Sequence, residues 1–171
     1  MCQLTGAKAD SFLQAKQHPS EETKYVTNSD TDELQISIPS SYDAMEKVAA
    51  MIEEAGDRVG INEDDEVDLM ISVMEAVNNA IQHGNKEDAS KQVHIKIEAE
   101  PGRLICWVRD EGPGFDPGAV PDPLSPDNLL NPSGRGILMM REFMDRVEFS
   151  AGDRGTSVKM SKQFTAAGQG A

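Results

Sequence analysis

At 171 residues, with 38% hydrophobic and 27% charged side chains, the chain has the size and composition of one domain with its own core. A formal net charge of −14 argues against direct binding to nucleic acid, because an acidic surface repels phosphate backbones. No apolar run approaches the ~20 residues a membrane-spanning helix needs, and the start lacks a hydrophobic signal segment, so a cytoplasmic protein is expected.

Residues 1–32 are polar, without sustained periodicity, and read as a flexible leader. Leu34, Ile36 and Ile38 then alternate with polar residues at the strand period, and Pro39 stops that strand. Ser40 or Ser41 offers a cap for a first helix carrying Met45, Val48, Ala49 and Ile52, with Gly56 as its expected end. A second helix is expected from Asn62, an N-cap residue followed by acidic residues suited to a first turn. Val67, Met70, Ile71, Met74, Val77 and Ile81 form its apolar side, and His83-Gly84-Asn85 closes it.

The runs 92–100 and 103–110 read as strands, and the short Pro101-Gly102 link makes them an antiparallel hairpin with Val93, Ile95 and Ile97 on its buried face. Cys106 in the second run reads as a small core residue of a reducing compartment. The stretch EGPGFDPGAVPDPLSPDNLLNPSGRG (111–136) is too rich in proline for a helix or a central strand. Glycine motifs bound it and core-like sequence resumes after it, so it reads as a lid. ILMMREFMDRV follows as a helix, then VEFSA and TSVKMSK as strands about a GDRG turn, and a tail over 164–171 is expected to fray. This order predicts a two-layer α/β (α+β) sandwich over residues 33–163, its mostly antiparallel sheet covered on one face by helices.

The second helix raises a physical question. Glu75, Asn78 and Asn79 interrupt its apolar stretch, and an uncompensated buried charge or amide costs several kcal/mol. Glu75 and Asn79 lie one turn apart, offset by about 40°. A carboxylate can therefore act beside an amide oxygen that ligates a hard cation. Magnesium prefers oxygen ligands and bridges nucleotide phosphates, and a carboxylate so placed can accept a proton in phosphoryl transfer. Asn78 points about 100° away from Asn79 and reads as structural, while His83 reads as a cap or packing residue.

Three further motifs carry chemistry. In DEGPGF (110–115), an aspartate at a strand end can accept a hydrogen bond from an exocyclic amine, and Gly112 and Gly114 permit a sharp turn close to a flat ligand; an ordinary Asp-Gly turn would look the same. SGRG (133–136) leads into a helix, where backbone N–H groups can hold phosphate. Arg135 there is either a phosphate contact or an exposed helix-start residue. The motif is neither a Walker loop nor a dinucleotide fingerprint. In GDRGTS (152–157), Thr156 could hydrogen-bond a base or simply occupy a hairpin turn.

The series E-x-x-x-N on a helix, D-x-G-x-G after a strand, G-x-G before a helix and G-T before the last strand resembles the GHKL ATPases with the Bergerat fold. That superfamily includes gyrase, the ninety-kilodalton heat-shock chaperone, mismatch-repair MutL and the histidine kinases. Within it, MEAVNNAIQHGN and GILMMREFMDRVEF most closely resemble the bacterial anti-sigma factor serine/threonine kinases, over about residues 34–162. The resemblance implies Mg-ATP as the nucleotide, with Glu75 as general base and Asn79 as the magnesium ligand. It implies that Asp110 binds the adenine amine in a pocket shaped by Gly112 and Gly114, with Thr156 near adenine. Gly134, Arg135 and Gly136 belong, on the same footing, to the phosphate-binding end of the lid. It implies phosphorylation of a serine or threonine on a small anti-sigma factor antagonist, binding of a sigma factor, and often a homodimer.

The sequence departs from this pattern in one respect. Relatives often carry a basic residue in the lid near the terminal phosphate, whereas residues 116–134 contain no lysine or arginine. An ATP-binding module that sequesters its partner without transferring phosphate is therefore the alternative expectation. Gyrase- or chaperone-like coupling to further domains, and a histidine kinase reading, fit the residues less well.

Overall fold

The computed structural model describes residues 26–28, 32–114, 132–152 and 155–165. The alternation of apolar and polar residues from Leu34 to Ile38 becomes the strand β2 (Glu33–Pro39), with Leu34 and Ile38 buried. Inside the segment read as a leader, β1 (Val26–Asn28) pairs antiparallel with it, Thr27 opposite Leu34. The expected hairpin forms from β3 (Gln92–Glu100) and β4 (Arg103–Arg109), turning at Gly102 with φ 76°. The last two strands are β5 (Arg146–Gly152) and β6 (Gly155–Gln163).

These strands form one antiparallel sheet in the order β1-β2-β3-β4-β6-β5. Its register lines up apolar residues across the strands. One row runs Ile36, Ile95, Val108, Val158, Phe149, and the next runs Leu34, Ile97, Cys106, Met160, Val147. Both rows belong to the core, and a one-residue slip of any strand would turn its share of them away. Burial pushes the Cys106 thiol up to about 12, because a thiolate there would lack solvation.

Helices cover that face, as the sequence predicts. Ser41 caps a short 3₁₀ turn (Tyr42–Ala44), its hydroxyl accepting from the Asp43 N–H at 3.4 Å, and the turn runs into α1 (Met45–Val59). This helix does not stop at Gly56. It ends at Gly60, whose φ of 66° is the left-handed geometry of a helix C-terminus. Gly56 answers a different need, since a Cβ there would stand 2.8 Å from Ile61 Cγ2. The second helix, α2 (Glu63–Asn79), begins where expected, with Asn62 Oδ1 accepting from the Asp65 N–H at 3.0 Å.

The third helix differs more from expectation. α3 (Pro132–Phe143) takes in the whole SGRG motif and ends before Val147. Proline is tolerated in a first helical turn because its missing N–H would have no partner there. Lys162 on β6 joins the helices to the sheet: its ammonium reaches Asp68 at 2.8 Å, Asp65 at 3.1 Å and the Phe143 carbonyl at 2.8 Å. The tail expected from 164 also begins late, because Phe164 is buried and its N–H donates to the Gly102 carbonyl at 3.0 Å. On the opposite, polar face, Trp107 lies between Lys96 and Lys159, whose ammonium groups stand 4.2 and 5.2 Å from its ring centre. No described helix is long and apolar enough to cross a membrane.

Candidate nucleotide site

At the end of α2 the backbone loosens into a π turn (Ala80–Gly84), a feature frequent at functional sites. The turn delivers Gly84 against the end of β4. A Cβ on Gly84 would overlap the Asp110 carboxyl, one on Gly112 would overlap the Gly84 carbonyl, and one on Gly155 would overlap the Asp110 carbonyl. Three glycines thus leave room for one carboxylate. Gly155 meets this with a φ of 105°.

Asp110 itself is 4% exposed. Its Oδ1 accepts from the N–H groups of Gly112 at 2.9 Å and Thr156 at 3.0 Å, and its own N–H donates to the Thr156 carbonyl at 3.0 Å. Its Oδ2, facing Gly84, receives no hydrogen bond from any described residue. That oxygen is free to accept from an incoming donor, and an exocyclic amine on a flat base supplies one. These residues therefore fit an adenine base. Gly114, with φ 75°, packs so closely on the Gly152 carbonyl that a side chain would overlap it.

Asn85, which the sequence marks only as part of the helix close, is 1% exposed and hydrogen-bonded through both its side-chain oxygen and its nitrogen. Its Oδ1 accepts from the Glu111 N–H at 2.8 Å and its Nδ2 donates to the Gln92 carbonyl at 2.9 Å. The Glu111 carboxylate in turn accepts from the Gln92 N–H at 3.0 Å and meets His94 Nε2 at 2.8 Å, contacts that hold it below its ordinary value. Gly155 belongs to the G-T motif before the last strand, whereas Gly84 and Asn85 carry no signal beyond the close of a helix, and sequence alone does not rank them above turn residues.

The second half of the site lies between α2 and α3. Glu75 and Asn79 are half-buried one turn apart on α2, and the Asn79 side chain makes no hydrogen bond to a described residue. A Cβ on Gly136 would overlap the Glu75 carboxylate, so the glycine lets that carboxylate lie against the beginning of α3. Gly134, Arg135 and Gly136 therefore lie within that helix, not ahead of it, and Arg135 is exposed. Residues 115–131, most of the expected lid, lie outside the described residues. No cluster of three metal-binding side chains occurs among the described residues.

A sheet covered on one face by helices, with a buried carboxylate at a strand end and a second carboxylate against a glycine-bearing helix start, defines a GHKL-type nucleotide-binding domain. The chain belongs to the histidine kinase-like ATPase domain family, whose pattern it matches over residues 38–162. It is similar to the serine-protein kinase RsbW of Bacillus subtilis (strain 168), 30% identical over 137 residues that cover 77% of this chain and 85% of that protein. It is also similar to the anti-sigma F factor of Oceanobacillus iheyensis, 36% identical over 105 residues that cover 60% of this chain and 72% of the relative. A solved structure of the RsbU and RsbW domains of a Mycobacterium tuberculosis protein shares the fold, with a TM-score of 0.58, 20% identity, and coverage of 80% of this chain and 34% of the other.

Proposed function

We propose that the chain is a bacterial, cytoplasmic anti-sigma factor serine/threonine kinase that phosphorylates a small antagonist protein and controls a sigma factor by partner switching. The observation that carries this is the Glu75 carboxylate lying against Gly136 in the opening turns of α3, on the same molecule as the amine-seeking Asp110. In this reading ATP enters with its adenine amine donating to Asp110 Oδ2, its ring against Gly112 and Gly114, and Thr156 beside it. The terminal phosphates lie beside Gly134, Arg135 and Gly136 in the opening turns of α3, where a helix start favours anions.

Glu75 takes the proton of the antagonist's serine or threonine hydroxyl as that oxygen attacks the γ-phosphorus. The bond from the γ-phosphorus to the bridging oxygen breaks, and ADP carries that electron pair away. Magnesium, held by the Asn79 amide oxygen and the phosphates, would neutralise charge developing on the transferred group. The sigma factor and a second copy of the chain complete the set of proposed partners.

One observation favours a second reading. Residues 116–134 carry no lysine or arginine, and charge stabilisation is the chief catalytic contribution in phosphoryl transfer. A nucleotide-dependent module that sequesters its partner would need no such cation. ATP labelled on its terminal phosphate, incubated with the protein and candidate antagonist, separates the two. Label on an antagonist serine or threonine is expected; nucleotide binding without transfer to any candidate contradicts the kinase reading.

A further inference from the structure

We infer that Asn85 is the positioning residue that gives the site its preference for a 6-amino purine, an inference that rests on the reading of Asp110 as the adenine acceptor. The Asp110 carboxylate is fixed on one side by Gly112 and Thr156, through bonds of 2.9 and 3.0 Å to its Oδ1. On the other side its Oδ2 faces Gly84 and takes no hydrogen bond from a described residue. Where Oδ2 sits therefore depends on where the π turn places Gly84 relative to the end of β4.

Asn85 sets that relation. Its N–H closes the π turn by donating to the Ala80 carbonyl at 2.8 Å. Its side-chain oxygen takes the Glu111 N–H, one residue past Asp110, and its side-chain nitrogen holds the Gln92 carbonyl at the start of β3. One buried amide thus ties the π turn, the residue after Asp110 and the neighbouring strand to one another. An aspartate could not replace it: it would present oxygen to the Gln92 carbonyl in a position 1% exposed. If the link is lost, Gly84 and Asp110 can separate, and Oδ2 no longer meets an amine at hydrogen-bond distance. A base with oxygen in place of that amine gains nothing from Oδ2, so its binding is insensitive to the change.

Affinities for ADP and IDP, measured by calorimetry on the full chain, test this in wild type, Asn85→Ala, Asn85→Ser and Asp110→Asn. Wild type is expected to favour ADP by about tenfold or more, since a site built for an N–H donor rejects the analogue lacking it. Asn85→Ala should weaken ADP by roughly that factor and leave IDP within about twofold, with Asn85→Ser in between. A purely structural role would weaken both nucleotides equally, and that result, or an unchanged ratio, overturns the inference. If neither Asn85 variant folds, exchange of the Glu111 amide in wild type decides: greater protection by ADP than by IDP supports the link, and equal protection refutes it. Asp110→Asn separates the two claims. A ratio that collapses in Asp110→Asn but survives in the Asn85 variants refutes Asn85 alone, whereas a ratio unchanged in Asp110→Asn removes the adenine reading itself and the inference with it.

Discussion

Gly136 and Glu75 illustrate how one hydrogen atom decides a site. A methyl on Gly136 would occupy the volume of the Glu75 carboxylate, so Gly136→Ala must turn that carboxylate away from the opening of α3. Gly136→Ala is expected to lower phosphate transfer about 10²-fold or more, the usual contribution of a positioned general base, measured as single-turnover transfer at saturating ATP. At this scale the sequence was informative about chemistry and less so about contacts. Glu75 and Asn79 stand out because polar residues interrupt an apolar helix. Gly84 and Asn85 do not, because their roles depend on what crosses them in space: the carboxylate just past β4 and an N–H twenty-six residues away in sequence. No local pattern encodes such neighbours.

The elements were legible in kind and less so in extent. Period-two alternation marked β2 and β3, and the Asn62 cap marked the start of α2, since these signals are local. The end of α1 lies at Gly60 and not at Gly56 because glycine serves both close packing and the left-handed cap, and only the backbone angle at Gly60 separates them. α3 begins earlier than expected because Pro132 acts as a helix starter there, and the π turn after Asn79 has no sequence signature at all. What holds the elements together gives a test at the same scale. Burial lowers the affinity of Lys162 for its proton, but the bonds to Asp68 and Asp65 outweigh it and hold the ammonium above its ordinary value. Lys162→Met leaves both carboxylates and the Phe143 carbonyl without this donor. Such a loss should cost about 1–3 kcal/mol, read as a lower urea midpoint with an unchanged slope.

For the whole molecule, sheet register and site geometry are one problem. Asp110 meets Thr156 because β4 pairs with β6 so that Arg109 faces Ser157, and that register is the one that aligns Val108 with Val158 and Cys106 with Met160 in the core. Burying the two apolar rows therefore also places the Asp110 carboxylate, while the helix layer places Glu75. Composition pointed to a folded acidic domain, and the order of motifs pointed to its nucleotide; the arrangement that joins them is visible only in the fold. The most direct test is Glu75→Gln, which keeps the shape of the side chain and removes its basicity. ATP affinity should stay within about threefold of wild type while transfer to the antagonist falls by about 10²–10⁴-fold. A Glu75→Gln variant that transfers phosphate at the wild-type rate would contradict the assignment of Glu75 as the base, and with it the account of how this site works.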